Sequence, residues 1–523
     1  MKKITVLAYD IGTTGVKTCL FEIGERVDLI SFASAGYQLY VLKNGGAEQD
    51  PDEWWQAMCE TTEKVIAESG VSPESISGIS FCSQMQGLVL VDKDGVPVRR
   101  AMSYMDQRAE KQLKDGIANG VRIAGANVVK LLKSLKITGA VAASVKDPVW
   151  KYKWVEENEP ENFARAYKWL DVKEAIICRM TGEMIMTHDS AFATLLYDIK
   201  KREFSKEMCS MLNVNLEHLP RIIECSEKAG VLKKEAAEQL GLAEGIPVYG
   251  GGGDASLIAV ASGAVLPGDT HVYWGTSGWV GTVVEKSIVD ATAMVAAIVG
   301  AEKGKYNYFA ELETAGKCLE WAKNRIALDA IGVYKAADEN GSVYDKMTEA
   351  ASKVPAGSNG VIFAPYLHGN RCPFEAPDAR GMFFNLSLET TEAELIRAVI
   401  EGVCFHIRWF LETEDKKVKT SSTVRFAGGG AISPFVGQTL ADCTGKTVET
   451  VKSPQNAGSV GAAVLVAVGE GVIKNIGECK KLIPAENTFT PNRSDKAAYD
   501  KSYKAFKKLY FSNKKLFSYM NDQ

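Results

Sequence analysis

The sequence predicts an α/β protein made of two related lobes, and three observations carry that prediction. A short apolar run, Ile4–Tyr9, leads into Asp10-Ile11-Gly12-Thr13-Thr14-Gly15, and a second apolar run, Val16–Phe21, follows at once. Strand, then Gly-rich turn with an Asp, returns at Ile246-Pro247-Val248-Tyr249, which runs into four glycines and Asp254. A Thr/Gly hairpin, His271–Trp274 with Gly275-Thr276-Ser277-Gly278-Trp279-Val280, echoes the first one. The residues between the glycines differ, so the echo is one of pattern. It sets the lobes at 1–247 and 248–523, and 523 residues supply ample core for both.

Taken in order, Ile4–Tyr9 and Val16–Phe21 read as strands around a Gly turn, and Asp28–Ala35 as an extension of that sheet. Asp50-Pro51-Asp52-Glu53-Trp54-Trp55 is a helix start, with acidic caps and Pro in the first turn. Ile76–Phe81 returns to strand, and Leu88–Val91 with Asp94-Gly95 reads as the first arm of a hairpin. From Arg108 to about Leu240 the chain reads as mostly helical, with starts at Asp147-Pro148 and Glu159-Pro160. The tail Ser494–Tyr519 spaces Tyr499, Tyr503, Phe506 and Tyr510 as one apolar helix face, expected to pack on its own lobe.

Composition narrows the function classes. With 61 Lys+Arg against 65 Asp+Glu the net charge is −4, so no basic excess points to nucleic acid or an anionic membrane. Eleven cysteines stand singly, without a C-x-x-C pair, as in a reducing compartment. Asp10 cuts the first apolar stretch below signal length, and the longest weakly polar run, Ala291–Ala301, is about half of a membrane span. A cytoplasmic protein is expected. The five histidines show no metal-ligand spacing.

Four constellations carry chemistry. In Asp10–Lys17, glycines expose backbone N–H groups, Thr13 and Thr14 add hydroxyls and Lys17 a cation, a set suited to phosphate oxygens. Asp10 at the strand end suits a hydrated Mg²⁺. A strand follows these glycines, so this is neither a Walker loop nor a dinucleotide fingerprint. In Gly250–Asp254 the glycines admit close approach of backbone or ligand. The carboxylate there is placed to accept a proton from a substrate hydroxyl, or to cap the helix expected at Ala255–Ala264. Gly275-Thr276-Ser277-Gly278 is a second donor-rich turn, and Phe426–Pro434 a Gly-rich strand-to-helix turn suited to passing under a nucleotide or simply to turning tightly. Ser83-Gln84-Met85-Gln86-Gly87 and Asp106-Gln107-Arg108 supply polar groups that could read a sugar, or form surface turns and salt bridges.

With these residues assembled, the chain resembles the FGGY carbohydrate kinases along nearly its whole length, and among them the xylulokinases. Asp10–Lys17 and Gly275-Thr276 match the two phosphate motifs, and Gly253-Asp254 the catalytic one. Phe363–Gly381 and Gly428–Gly445 are similar to the two family signatures, and Pro160–Phe163, Leu170–Lys173, Thr181–Glu183 and Asp189–Asp198 to the xylulokinase helical region. The resemblance implies a two-lobe actin-like/ribonuclease-H-like ATPase fold with an interlobe cleft. It implies ATP and Mg²⁺ as cofactors and D-xylulose as the leading substrate. Asp254 would be the general base, with Asp10 helping to place Mg²⁺. Thr13, Thr14, Lys17, Gly275 and Thr276 would hold the phosphates; Gly316, Glu320, Gly429 and Gly430 would line the adenosine pocket. Gln84, Met85, Gln86, Asp106 and Arg108 would face the sugar. Members often dimerise, so a homodimer is within expectation.

Two positions depart from the xylulokinase pattern. Its Gln-Met-His-Gly motif reads Gln84-Met85-Gln86-Gly87, and the Asn that usually follows the catalytic Asp is Ala255. Gln cannot be cationic, and Ala offers no polar group. A buried sugar hydroxyl left unpaired costs about 1–3 kcal/mol, so another ketose, a polyol or an aldonate remains a rival substrate. A non-catalytic sugar or nucleotide sensor on the same fold is the rival from another class.

Overall fold

The computed structural model of the chain describes residues 2–117, 121–123, 126–326, 328–335 and 341–521. Two mixed sheets organise it. The first runs, edge to edge, through Lys228–Val231, Pro247–Tyr249, Ile76–Ser83, Ile4–Ile11, Gly15–Ile23 and Val27–Gly36, with Gly252–Gly253 pairing beside Tyr249 on Ile76–Ser83. The second runs Val289–Asp290, Val295–Val299, Tyr306–Leu312, Gly278–Val284, Thr270–Trp274, Thr423–Ala427, Thr447–Val451, Ala485–Phe489.

The same five-strand order is embedded in both. Ile4–Ile11 pairs antiparallel with Gly15–Ile23, which pairs antiparallel with Val27–Gly36. On its other edge Ile4–Ile11 runs parallel to Ile76–Ser83, and that strand parallel to Pro247–Tyr249. In the second sheet Thr270–Trp274, Gly278–Val284 and Tyr306–Leu312 form the antiparallel trio, and Thr423–Ala427 and Thr447–Val451 the parallel pair. The echo between residues 10 and 275 is thus a repeat of topology, with the turn that follows each first strand in the equivalent place.

Between the sheets lie the helices Asp254–Ser262 and Ala457–Gly469. The latter reads AGSVGAAVLVAVG and is buried on every side through Ala467, as a helix apolar all round must be. Its Gly461 lets the two helices touch, since a Cβ there would stand 2.4 Å from the Leu257 carbonyl oxygen. The chain enters the first sheet's last strands at 247 and reaches the second sheet at Thr270, through the helix that begins with Asp254.

Most sequence expectations are met locally, and some are corrected. Asp50 caps the helix Pro51–Ser69, accepting from the Asp52 N–H at 3.1 Å, and Asp147 and Glu159 precede Pro-led helices at 148–158 and 160–165. The tail helix, Lys496–Asn521, buries Tyr499, Tyr503, Phe506 and Tyr510; Arg397 of the helix Glu392–Glu414 donates to the Tyr499 hydroxyl at 2.8 Å. Leu88–Val91 turns at Asp94-Gly95 and pairs back locally as expected, the Val98 N–H donating to the Leu90 carbonyl at 2.9 Å and Leu88 and Met102 exchanging bonds at 2.9 and 3.0 Å, while Val89–Val91 also pairs antiparallel with Lys168–Leu170 farther along the chain. The stretch from Arg108 to Leu240 carries short strands between its helices. Among the described residues no helix is long and apolar enough to cross a membrane.

Candidate active site

The sheet geometry brings the two carboxylates together. Asp10 lies in register with Cys82 on one edge of Ile76–Ser83; Gly252 and Gly253 lie in register with Cys82 and Ser83 on the other. Asp10 and Asp254 therefore flank the carboxyl end of one strand, where open α/β sheets place their ligands. Burial pushes the Asp10 carboxyl up, against the pull of Lys17, which stands opposite it in the hairpin, and of the Cys82 thiol. Burial also pushes Asp254 up to about 7; the Ala255 N–H, at 2.7 Å from Oδ1, opposes this, while Asp10, Glu311 and Asp189 add to it. Asp254 is the first residue of its helix, with Gly253 at the cap position. Its carboxylate bonds only the next N–H and does not cap the helix in the ordinary way.

The first turn is held from below. Gln84 Nε2 donates to the Gly12 carbonyl at 2.9 Å and to Gln49 Oε1 at 3.0 Å, and Gln49 donates to the Thr13 carbonyl at 2.6 Å. Thr13 Oγ1 donates to the Tyr104 hydroxyl at 3.3 Å, and Thr14 is exposed. Lys17 Nζ reaches across to the Gln455 carbonyl at 2.8 Å, beside the start of the 457–469 helix. That helix begins against Asp10: a Cβ on Gly458 would stand 2.6 Å from Asp10 Oδ2.

The second turn meets the other expected nucleotide residues through glycine contacts. The Gly316 N–H donates to the Gly275 carbonyl at 2.8 Å and the Ala315 N–H to that of Thr276 at 3.1 Å. A Cβ on Gly316 would stand 2.5 Å from the Gly275 oxygen, so only glycine permits the contact. Gly430 packs on the Trp274 ring, where a Cβ would come within 2.6 Å, whereas Gly429 is exposed to open space. Glu320 sits exposed one turn along the helix Gly316–Arg325.

The glycines before Asp254 are equally constrained. Gly251, at φ +70°, leaves no room for a Cβ beside the Phe81 carbonyl, and a Cβ on Gly253 would stand 2.0 Å from Met85 Sδ. Asp189, fully buried, accepts the Gly253 N–H at 2.8 Å and so fixes the residue before Asp254.

On the sugar side the five candidates separate. Gln84 is buried, with its amide N–H group donating to the first turn, while its Oε1 has no hydrogen-bond partner among the described residues. Met85 lies over Gly253. Gln86 takes a left-handed φ of +63°. Asp106, fully buried, accepts from the Ala47 N–H at 2.9 Å and from Arg108 Nη2 at 2.7 Å. Arg108 is also held by Glu48 at 2.6 Å and lies 4.3 Å over the Trp154 ring, so these two charges are tied to each other and to the wall. Gln49, Tyr104, Lys151, Asp171 and Asp189 were not foreseen. All but Tyr104 are nearly or wholly buried, and no spacing in the sequence marks such positions.

Two carboxylates beside two donor-rich turns fit Mg²⁺, which takes one or two protein carboxylates and completes its shell with water and phosphate oxygens. Among the described residues no group of three or more His, Cys, Asp or Glu could enclose a metal.

A duplicated strand order with helices between the sheets, a glycine turn after the first strand of each antiparallel trio and acidic residues at the strand ends define an actin-like/ribonuclease-H-like ATPase fold. The N-terminal domain model of the FGGY family of carbohydrate kinases matches residues 5–261 and the C-terminal domain model residues 271–470. The chain belongs to the FGGY family of carbohydrate kinases, enzymes that use ATP as phosphate donor. It is 29% identical over 511 residues to a xylulose kinase of Lactococcus lactis, covering 97% of this chain and 96% of that one. It is 28% identical over 491 residues to a gluconokinase of Bacillus subtilis, covering 93% and 91%. The crystal structure of ligand-bound xylulose kinase from Lactobacillus acidophilus superposes with a TM-score of 0.83 at 25% identity, covering 97% of this chain and 98% of that one.

Proposed function

We propose that this carbohydrate kinase transfers the γ-phosphoryl group of ATP to a hydroxyl of D-xylulose, with Asp254 as general base. The observation that carries the reading is the place of Asp254: half-buried, across one strand end from Asp10, and next to Gly253, over which Met85 lies. Burial raises the Asp254 carboxyl, which makes it a stronger base toward a sugar hydroxyl than an exposed carboxylate. Catalysis is mainly positioning and charge neutralisation. The N–H groups of the two glycine turns, the Thr13, Thr14 and Thr276 hydroxyls and Lys17 orient the phosphates. Gly429 leaves room for the adenosine, Gly316 and Gly430 let the chain close beside it against Gly275 and Trp274, and Glu320 stands at its rim. Asp10 and Asp254 would hold Mg²⁺, which supplies positive charge to the phosphate oxygens.

The relatives named xylulose kinase support the ketopentose, and the resemblance to a gluconokinase keeps an aldonate as the second reading. Gln86 and Ala255 favour weighing that second reading, since both stand where xylulokinases carry a different polar group. The eleven free cysteines suit a reducing cytoplasm. ADP release from ATP·Mg²⁺ with D-xylulose, other ketoses, polyols and gluconate tests the proposal. Turnover with D-xylulose at millimolar concentration or below supports it; turnover only with gluconate replaces the substrate, and silence throughout favours a sensor.

A further inference from the structure

Residues 84–87 send consecutive side chains in different directions. Gln84 supports the phosphate turn, Met85 covers Gly253, and Gln86 has no hydrogen-bond partner for its amide among the described residues. The backbone of Gln86, by contrast, is gripped at both ends. Its N–H donates to Asp171 Oδ2 at 3.0 Å, and its carbonyl accepts from Lys151 Nζ at 2.7 Å. Asp171 Oδ1 takes the Gly87 N–H at 2.8 Å and caps the helix Val172–Thr181 through the Val172 N–H at 2.8 Å. A Cβ on Gly87 would stand 2.7 Å from Asp171 Oδ1, so glycine there is what lets the carboxylate reach two successive N–H groups.

Lys151 and Asp171 are 0% and 4% exposed. A buried ammonium and a buried carboxylate are kept only where other groups satisfy them, and here both turn toward one residue. A left-handed φ is uncommon for a residue with a Cβ and persists where surroundings impose it. We propose that Lys151 and Asp171 are positioning residues that clamp Gln86 in its left-handed conformation and so aim its free carboxamide at the substrate. The inference rests on the reading of Gln86 as a sugar-side residue. Lys151 also faces Asp106 and Asp147, which ties the clamp to the Asp106–Arg108 wall.

Asp171→Asn tests it. Asparagine remains a good helix cap, with its oxygen free for the Val172 and Gly87 N–H groups, but it sets an NH₂ against the Gln86 N–H. The expected result is a KM for the sugar raised about tenfold to a hundredfold, with the KM for ATP unchanged. Lys151→Met removes the other arm and is expected to act in the same direction, giving an independent reading where Asp171→Asn fails to fold. Each substitution is repeated in a Gln86→Gly background, where there is no carboxamide to aim and glycine takes the left-handed conformation freely. There it is expected to add little to the sugar KM. An equal rise in both backgrounds, or equal loss toward ATP and sugar, makes the pair merely structural and overturns the clamp. A Gln86→Gly single variant with unchanged sugar KM would instead strike the sugar-side reading itself.

Discussion

Asp10 and Asp254 stand on opposite edges of the same strand end: Asp10 is in register with Cys82, and Gly253, which precedes Asp254, with Ser83. Two half-buried carboxylates flanking one strand end raise each other's cost of ionisation. The cation of Lys17 and the N–H of Ala255 offset that cost from the protein side. The arrangement is what a site for anionic phosphate and its counter-ion requires.

Gly253→Ala should damage sugar use. The added methyl would stand 2.0 Å from Met85 Sδ, and the whole Met85 side chain would have to leave. Overpacking of this kind costs about 1–3 kcal/mol, so kcat/KM for the sugar should fall roughly tenfold to a hundredfold. Steady-state kinetics check this, and Met85→Ala in the same chain should restore part of the loss.

Gly316→Ala should act on the nucleotide. Its methyl meets the backbone oxygen of Gly275, at 2.5 Å, and backbone gives way less readily than a methionine tip. The expected outcome is a KM for ATP raised about tenfold with the sugar KM spared. Titration with a fluorescent ADP analogue would show the same loss without turnover.

How much of this was legible follows the physics of each element. The strand–turn–strand at Asp10 and the glycines before Asp254 declare themselves because turns need glycine and the flanking strands are apolar. The topological repeat does not, since the first parallel strand of each sheet joins its trio from 65 and 149 residues away. Gln84 and Gln86 look alike in sequence; only the backbone turn separates a residue that props the loop from one that is free. Lys151 and Asp171 were invisible as a pair because a buried charge has no periodicity, and Lys151 lies among aromatics in the helix Pro148–Asn158.

Stability should depend on pH through Glu414, far from the cleft. Burial pushes its carboxyl up to about 8; Thr282 donates to it at 2.6 Å, and its other oxygen has no partner among the described residues. With the folded value above the unfolded one, the native state binds more protons between about 4.5 and 8, so stability falls as pH rises through that window. Thermal melts from pH 5 to 9 should show the decline, and Glu414→Gln should flatten it. A wild-type melting temperature that rises across the window would contradict the assignment.

Lys17→Met should lower turnover about a hundredfold or more, since Lys17 stands in register with Asp10 beside the first turn and its Nζ donates to the Gln455 carbonyl. Residual activity at the wild-type level would remove Lys17 from the phosphate site.

The central claim is that Asp254 takes the proton of the sugar hydroxyl. Asp254→Asn keeps the size of the side chain and removes the base. The most direct measurement is sugar-dependent ADP release by this variant, alongside its affinity for ATP·Mg²⁺. The account predicts loss of nearly all turnover with nucleotide binding retained. Turnover close to wild type, with binding intact, would contradict it.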